Sequence, residues 1–353
     1  MPDAAPGHLM INEIREQPLA ISRLIAAELE RVWAMAERWH AAPPRMIFIA
    51  ARGTSDHAAL YAKYLFETAT EIPVGLAAPS VASVYQADVR YDGALVIGIS
   101  QSGEAADVIS VLERAARNGA DTLAITNVAD SPLIAAAQQS LILHANPELS
   151  VAATKTFTST LAGLLLLAAA IGRDQALRDH LLAIPRIMLE VLGREGEIRA
   201  KVERFRYLEE CVVLGRGYNL GTAYELALKL RETSYIRAQP FASPDFVHGP
   251  IAIIEAGYPV IAFANDGPTL PTVMQVIEQT QALGAEAVVI GNAASALRAA
   301  DVAFSVAVGQ PVPEVISPFP AILAGQLIAQ ALSVLKGNDP DAPRGLRKVT
   351  ITR

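Results

Sequence analysis

Cysteine is nearly absent from this sequence. The 353 residues include one, Cys211, which lies in the apolar run 211–214 and is predicted to be a buried strand residue. A single cysteine cannot form an intramolecular disulfide and cannot supply a cysteine-rich metal site. We therefore expect neither a disulfide framework nor a cysteine-rich metal site, and we assign no residue as a metal ligand.

An excess of basic residues is also lacking. The chain has 29 lysine and arginine residues against 36 acidic residues, which gives a formal net charge of -7. Proteins that bind nucleic acid need a basic stripe to neutralise phosphates, so no nucleic-acid partner is expected. An anionic small molecule would have to be held by local hydrogen bonds, because the overall charge does not attract it.

Signals for secretion or membrane insertion are missing too. The first ten residues lack the basic and apolar regions of a signal peptide. The longest apolar run, 161–171, is too short to span a bilayer and is interrupted by Gly163. With 52% hydrophobic residues and a mean hydropathy of +0.31, we expect a cytoplasmic protein with a large core and a buried subunit interface.

Short apolar runs alternate with helical patterns after Pro43 and Pro44, behind one or two leading helices that begin near Ile11. The predicted strands are 46–50, 74–76, 94–99 and 122–125, and the predicted helices are 55–68 and 105–118. Runs that are apolar on both faces indicate a parallel sheet covered by helices on each side. The fold class is therefore α/β and doubly wound.

The same plan occurs twice along the chain. FIAARGTSDHAALYA (48–62) resembles VVLGRGYNLGTAYELA (212–227), and ALVIGISQSGEAADVI (94–109) resembles YPVIAFANDGPTLPTV (258–273). The offset of about 165 residues is too long for a solenoid and indicates two tandem domains. The predicted organisation is leading helices at 1–40, a first domain at 41–172, a helical linker at 173–205, a second domain at 206–335 and a C-terminal tail at 336–353.

The junction GISQSGEAAD (98–107) is rich in neutral hydrogen-bond donors. Ser100 and Ser102 offer hydroxyls, Gln101 offers an amide, and Gly103 allows close approach of the backbone. The junction ends a strand and precedes a helix N-terminus, where ligands of open parallel sheets bind and where N–H groups are unpaired. Taken alone, a serine before a helix more often serves only as a cap.

A second loop strengthens the prediction of a ligand site. Gly53, Thr54 and Ser55 follow a neighbouring strand and carry the same chemistry. Two such loops in one domain predict a neutral cradle for one phosphate group. In the second copy, the triplet 100–102 is replaced by Ala-Asn-Asp at 264–266, so an anion would bind there poorly.

A glycine-rich turn in the second copy raises the alternative of a dinucleotide site. GRGYNLG (215–221) follows a strand and opens a helix, but its spacing is G-x-G-x-x-x-G. No acidic residue ends a second strand about twenty residues later, as that motif requires. No cofactor is therefore expected.

One predicted helix carries charged residues on an otherwise apolar segment. Glu225, Lys229 and Glu232 are spaced i, i+4 and i+7, so they share one face. The ordinary interpretation is a solvated face with a weak ion pair. The apolar neighbours, and a position near the ligand-binding edge of the sheet, favour a functional cluster.

Motifs along nearly the whole chain resemble those of the tandem SIS (sugar isomerase) domain family, most closely the isomerase half of glucosamine-6-phosphate synthase. These motifs are EIREQPLAI (13–21), RGTSDHA (52–58), SQSGEAAD (100–107), VAATKTFTS (151–159), ELALKLRETSYI (225–236), HGP (248–250) and PRGLRKVT (343–350). Each is weak alone, but their common order and spacing make the resemblance specific. It implies two tandem SIS domains.

The resemblance also implies roles for individual residues. Glu232 corresponds to the base that moves a proton between C1 and C2 of the sugar, while Glu225 and Lys229 line the sugar and support that carboxylate. His248 corresponds to the acid/base that opens the ring, and in the family it reaches into the site of a neighbouring subunit. Lys348 corresponds to a lysine of the C-terminal tail that closes over the sugar. A homodimer is therefore expected.

Other matching positions are less specific in role. Val151 and Lys155 correspond to residues beside the sugar. Ala105 stands where the synthase has a threonine that helps to hold the phosphate, and Ala153 stands where it has a serine. The phosphate cradle thus has fewer hydroxyls than that of the synthase, so the resemblance does not fix which sugar is preferred.

The expected function is deamination of glucosamine 6-phosphate to fructose 6-phosphate and ammonia, with a small sugar phosphate as ligand and without glutaminase activity. Another aldose–ketose isomerisation, a fructosamine-phosphate deglycase, ammonia-dependent synthesis and a non-catalytic sugar-phosphate sensor are the alternatives. A sensor needs only the phosphate cradle, whereas this chain also carries Glu232, Lys229, His248 and Lys348.

Overall fold

The computed structural model describes residues 5–346 and Lys348. Within this part of the chain, two compact units are present, and each has its own sheet. The N-terminal unit comprises Gln17–Glu148, Lys155–Ala183 and Lys348, and the C-terminal unit comprises 5–16, Leu149–Thr154 and Ile184–Leu346. The helix α1 (His8–Ala41) precedes the first strand as one continuous element that contains Pro18.

The N-terminal unit is built around a five-stranded parallel sheet of order β2-β1-β3-β4-β5. Its central strand, β3, is buried at every position, as expected for a sheet covered on both faces. The strands are β1 (Met46–Ala50), β2 (Val74–Leu76), β3 (Ala94–Ile99), β4 (Asp121–Thr126) and β5 (Gln139–Ile142). The helices are α2 (Thr54–Thr70), α3 (Pro79–Ser83), α4 (Ala106–Arg117), α5 (Pro132–Ala135) and α6 (Lys155–Gly172).

The C-terminal unit repeats this topology. Its parallel sheet has the order β7-β6-β8-β9-β10, so β6 and β8 take the places that β1 and β3 hold in the first sheet. The strands are β6 (Glu210–Gly215), β7 (Arg237–Ala242), β8 (Pro259–Phe263), β9 (Glu286–Gly291) and β10 (Val302–Ser305). The helices from the linker onward are α7 (Gln175–Leu192), α8 (Glu195–Val202), α9 (Leu220–Ser234), α10 (Ser243–Val247), α11 (Leu270–Ala282), α12 (Ala294–Ala299) and α13 (Pro318–Leu335).

The prediction of an α/β fold with two doubly wound domains is confirmed. Strands β1, β2 and β3 have the predicted bounds, and the helices α2 and α4 begin and end within two residues of the predicted positions. Cys211 lies in β6 and is fully buried, and burial, with a smaller effect of Glu210, raises the pKa of its thiol to about 12. This cysteine is therefore an inert core residue.

Two helices in the described residues are long and apolar enough to cross a membrane by length and composition. They cover Lys155–Gly172 and Glu314–Leu335, and 94% of each is buried within the protein. Burial of this extent is typical of core helices that lie against a sheet. A cytoplasmic location stays a prediction.

Candidate active site

The two loops predicted to bind phosphate end neighbouring strands of the N-terminal sheet. Strands β1 and β3 pair in parallel, with Ala50 opposite Gly98, so the loops that follow them meet at one edge of the sheet. Thr54 and Ser55 open α2, and the loop 100–105 leads into α4. We call residues 53–55 and 100–105 the cradle. The structure thus brings together the cradle residues that the sequence singled out.

Backbone geometry shows why the cradle contains two glycines. Gly53 and Gly103 have φ angles of +54° and +69°, a region that other residues adopt at a cost. A Cβ on Gly103 would also lie 2.2 Å from Oγ of Ser131. The N–H of Gly103 donates to the carbonyl and to Oγ of Ser100, and the N–H of Glu104 donates to Oγ of Ser102. The turn is therefore held in a fixed shape by its own hydroxyls.

An ion pair links the two loops of the cradle. Nε of Arg52 lies 2.6 Å from Oδ2 of Asp107, which is buried in the first turn of α4. Burial raises the pKa of the neighbouring Asp56, and the charges of His57 and Arg52 oppose this rise. Both residues of the pair lie within the sequence motifs, but a contact over 55 positions has no local signal, so the sequence alone does not predict it.

The predicted tail lysine contacts a buried carboxylate within the N-terminal unit. Nζ of Lys348 lies 3.3 Å from Oε2 of Glu148, whose side chain is fully buried. The same carboxylate accepts hydrogen bonds from the N–H and the Oγ1 of Thr156, in the first turn of α6. Lys155, at the start of that helix, is buried as well. The sequence does not single out Glu148, because it lies in none of the family motifs.

Val151 lies in a short segment of the C-terminal unit, 149–154. The carboxylate of Glu13 accepts hydrogen bonds from the N–H groups of Leu149 and Ser150, and Oγ of Ser150 donates to the carbonyl of Ala152. Nε2 of Gln326 donates to the carbonyl of Thr154 at 3.5 Å. Glu13 thus gives the motif EIREQPLAI a physical role, which is to hold the turn that carries Val151.

The charged residues of α9 form a buried cluster in the C-terminal unit. Nζ of Lys229 lies 3.3 Å from Oε1 of Glu225 and 2.6 Å from Oε2 of Glu232. The side chains of Glu225 and Lys229 are 0% and 1% exposed, while that of Glu232 is 23% exposed. The solvated-face interpretation is therefore wrong. Glu232 is the member of the cluster that solvent reaches, and Lys229 fixes its carboxylate in place.

The electrostatics of the cluster keep Lys229 charged. Burial by itself disfavours an ammonium, but the adjacent carboxylates of Glu225 and Glu232 outweigh this and raise the pKa of Lys229 above its ordinary value. The two carboxylates compensate the buried charge of the ammonium. Removing Lys229 would leave the Glu225 carboxylate buried without its cation, and removing both carboxylates would leave the ammonium buried without a counter-charge.

His248 lies on a rigid turn of the C-terminal unit. It ends α10, its N–H donates to the carbonyl of Asp245, and it is followed by Gly249 with a φ of +144° and by Pro250. Its side chain is exposed. An exposed imidazole is available to a second chain, but a homodimer and a role for His248 across its interface stay predictions.

A metal ion would need several ligands that converge on one point. Among residues 5–346 and Lys348, no group of three or more histidine, cysteine, aspartate and glutamate residues is placed to hold a metal ion.

Comparison with known proteins defines the class of the chain. The SIS domain matches residues 42–170 and again residues 209–331. The chain therefore belongs to the SIS domain family, with two copies of the domain in tandem. Each match covers one of the two sheets described above.

Individual relatives refine this class. Glutamine–fructose-6-phosphate aminotransferase [isomerizing] of Thermococcus kodakarensis is 36% identical over 351 residues, and that of Methanothermobacter thermautotrophicus is 37% identical over 341 residues. Both alignments cover 97% of this chain and 57% of the relative, so the chain spans little more than half the length of these relatives.

Solved structures show the same likeness. A protein from Silicibacter pomeroyi, provisionally assigned as a phosphosugar isomerase, has 32% identity and a TM-score of 0.84, covering 94% of this chain and 99% of that one. The C-terminal domain of glucosamine-fructose-6-phosphate aminotransferase from Francisella tularensis has 28% identity and a TM-score of 0.86, covering 95% and 98%.

Proposed function

We propose that this protein is a phosphosugar isomerase that deaminates glucosamine 6-phosphate to fructose 6-phosphate and ammonia. The cradle would bind the phosphate group, and Glu232 would carry the proton. In the open-chain substrate, the Glu232 carboxylate takes the proton from C2 and returns it to C1, which converts the amino aldehyde into an imine at C2. Addition of water to that imine releases ammonia and leaves the ketose.

The buried cluster on α9 is the observation that carries this proposal. A sensor needs to hold a ligand but has no use for a base, whereas here two fully buried charged side chains support one partly exposed carboxylate. Even a well-paired buried ion pair often contributes no more to stability than apolar side chains of the same volume, so stability alone does not account for this arrangement. A positioned carboxylate is suited to proton transfer next to a carbonyl or an imine.

The relatives support the substrate class and also favour a second candidate. The curated relatives are named as aminotransferases that act on fructose 6-phosphate. The same proton transfer in the opposite direction, with ammonia as the nitrogen donor, would yield glucosamine 6-phosphate. Both directions need the same cradle and the same base. Because they are the two directions of one reversible reaction, the concentrations of the sugar phosphates and of ammonia decide which of them proceeds.

A direct assay separates these possibilities. We expect the protein to release ammonia from glucosamine 6-phosphate and not from unphosphorylated glucosamine, which lacks the group that the cradle binds. Galactosamine 6-phosphate and a fructosamine phosphate would be assayed in parallel, and fructose 6-phosphate with ammonium would test the synthetic direction. Incorporation of deuterium at C1 or C2 in D2O would detect proton transfer without turnover. If the protein neither released ammonia from any of these sugars nor catalysed deuterium exchange into them, the proposal would be contradicted and a sensor would be favoured.

The cradle can be tested separately by Ser102→Ala. This substitution removes one hydroxyl donor, and we expect the KM for the phosphorylated sugar to rise by roughly tenfold, the scale of one charge-assisted hydrogen bond. The kcat should change less, because the phosphate is held equally before and during proton transfer. Ser131→Ala, at a neighbouring buried hydroxyl outside the cradle, is the matched control. An unchanged KM in Ser102→Ala would remove this hydroxyl from the substrate site.

A further inference from the structure

The C-terminal unit contains a counterpart of the cradle. Because the two sheets have the same strand order, the loop from β8 to α11 corresponds to the loop from β3 to α4, and the turn from β6 to α9 corresponds to the turn from β1 to α2. In this equivalence Gly267 matches Gly103, and Gly217 matches Gly53. Both glycines of the second pair also have positive φ angles, +154° and +57°.

A carboxylate of the protein itself already lies in this second cradle. Oγ1 of Thr269, the residue before α11, donates a hydrogen bond to Oε1 of Glu314. A Cβ built on Gly267 would lie 2.5 Å from Oε2 of Glu314, and one built on Gly217 would lie 4.0 Å from its Oε1. The Glu314 carboxylate is therefore held against both glycine turns at once.

The surroundings of Glu314 are those of a bound anion. The residue is 8% exposed, and Thr269 occupies the position that Ala105 holds in the first cradle. Burial is the largest influence and raises the pKa of Glu314 overall, while hydrogen bonds from Thr269 and the charge of Arg216, the counterpart of Arg52, favour the ionised carboxylate and offset part of this rise. The carboxylate of Glu314 is thus surrounded by a hydroxyl, a helix N-terminus and an arginine, which are groups that also bind phosphate.

Resting on the phosphate role proposed above for the first cradle, we propose that Glu314 is an internal substitute for phosphate that fills the second cradle. Its carboxylate takes the hydrogen bonds that a sugar phosphate would otherwise receive, so only one of the two SIS domains binds the substrate. The absence of the Ser-Gln-Ser triplet in the second domain makes that cradle weaker, and Glu314 closes it.

An anion from solvent could reach the second cradle if the carboxylate were removed. A surface pocket of about 660 Å³ borders it, with Asp266, Gly267, Asn292, Val312 and Glu314 among its lining residues. Shortening the Glu314 side chain would extend this pocket to Thr269 and to the two glycine turns. Inorganic phosphate is therefore a suitable probe.

The test compares the effect of inorganic phosphate on thermal unfolding in the wild type, Glu314→Ala and Glu314→Gln, with chloride at equal ionic strength as reference. Binding to the native state raises the Tm. We expect Glu314→Ala to have a lower Tm than the wild type in the absence of phosphate. Phosphate should then raise the Tm of Glu314→Ala by roughly 2–4 °C more than it raises the Tm of the wild type. Glu314→Gln fills the same volume and should respond as the wild type does. In Glu314→Ala with Thr269→Val, the additional rise should disappear.

The outcomes separate this proposal from the proposed function. A phosphate response in the wild type reports the first cradle, whereas the excess response of Glu314→Ala reports the second. Equal responses of Glu314→Ala and the wild type, or an excess that persists without the Thr269 hydroxyl, would overturn the role of Glu314. Should Glu314→Ala fail to fold, Glu314→Ser shortens the side chain less drastically, and the same comparison decides.

Discussion

Replacing Glu232 by glutamine is expected to reduce kcat by ~10²–10⁴, the usual contribution of a positioned general base. Glutamine has the shape of glutamate and can still accept a hydrogen bond from Lys229, but it cannot take a proton from carbon. The KM should change little, since the lost interaction acts mainly in the transition state. Steady-state kinetics of ammonia release from glucosamine 6-phosphate would provide both parameters.

The deuterium exchange experiment makes this prediction specific to proton transfer. If Glu232 is the base, Glu232→Gln should lose exchange at C1 and C2 to the same extent as turnover, while thermal stability stays close to that of the wild type. Glu255→Gln is the matched control, because Glu255 is an exposed glutamate of the same unit, outside the α9 cluster. A Glu232→Gln variant with near-normal kcat and exchange would show that another group moves the proton.

The sequence was sufficient to predict the elements that carry the candidate site. The loop after β3 and the turn after β1 were visible because apolar strands end there in small polar residues and glycine, which is a local pattern. The spacing of Glu225, Lys229 and Glu232 predicted one helix face for the same reason. Local periodicity specifies which residues share a face, and all three lie on α9.

What the sequence did not reveal depends on contacts between distant residues. The pairing of Arg52 with Asp107, the hydrogen bond from the N–H of Ser150 to Glu13, and the contact of Thr269 with Glu314 join positions 55, 137 and 45 residues apart. Neither the composition of the sequence nor its hydrophobic periodicity shows which distant residues will be in contact. The same holds for Glu314, since the second cradle was expected only to bind an anion poorly, not to contain one of its own.

Burial of the α9 cluster was likewise invisible in its spacing. An i, i+4, i+7 pattern of charges is the ordinary signature of a solvated face, whereas here α9 packs against α13 and against strands β6 and β7 of the sheet. Ser333 of α13 donates a 2.6 Å hydrogen bond to the carbonyl of Thr233, whose own hydroxyl donates to the carbonyl of Lys229. Because the α9 cluster is buried, its stability depends on the pairing of Lys229 with Glu225 and Glu232.

Replacing Lys229 by methionine should therefore destabilise the protein strongly. The substitution keeps a long side chain but leaves Glu225 buried without its cation, and breaking a buried ion pair in this way costs about 3–5 kcal/mol. Denaturant unfolding would measure the loss. Lys201→Met is the matched control, because Lys201 forms an i,i+4 pair with Glu197 on the surface, where such pairs contribute about 0–1 kcal/mol.

The destabilisation of Lys229→Met could come from loss of the charge of Lys229 or from loss of its packing. The pH dependence of the free energy of unfolding and a second variant distinguish these two causes. In the wild type the pKa of Lys229 is raised, so its stabilising contribution is complete below its ordinary value of 10.5 and is lost only as the pH rises through the folded-state value. Between pH 5 and 9 this contribution should be constant. In Lys229→Met the Glu225 carboxylate has lost its cation and can accept a proton, so the destabilisation should be smaller at pH 5 than at pH 8. Adding Glu225→Gln should restore part of the stability at pH 8. A loss that is independent of pH and unchanged by Glu225→Gln would show that Lys229 acts through packing and not through its charge.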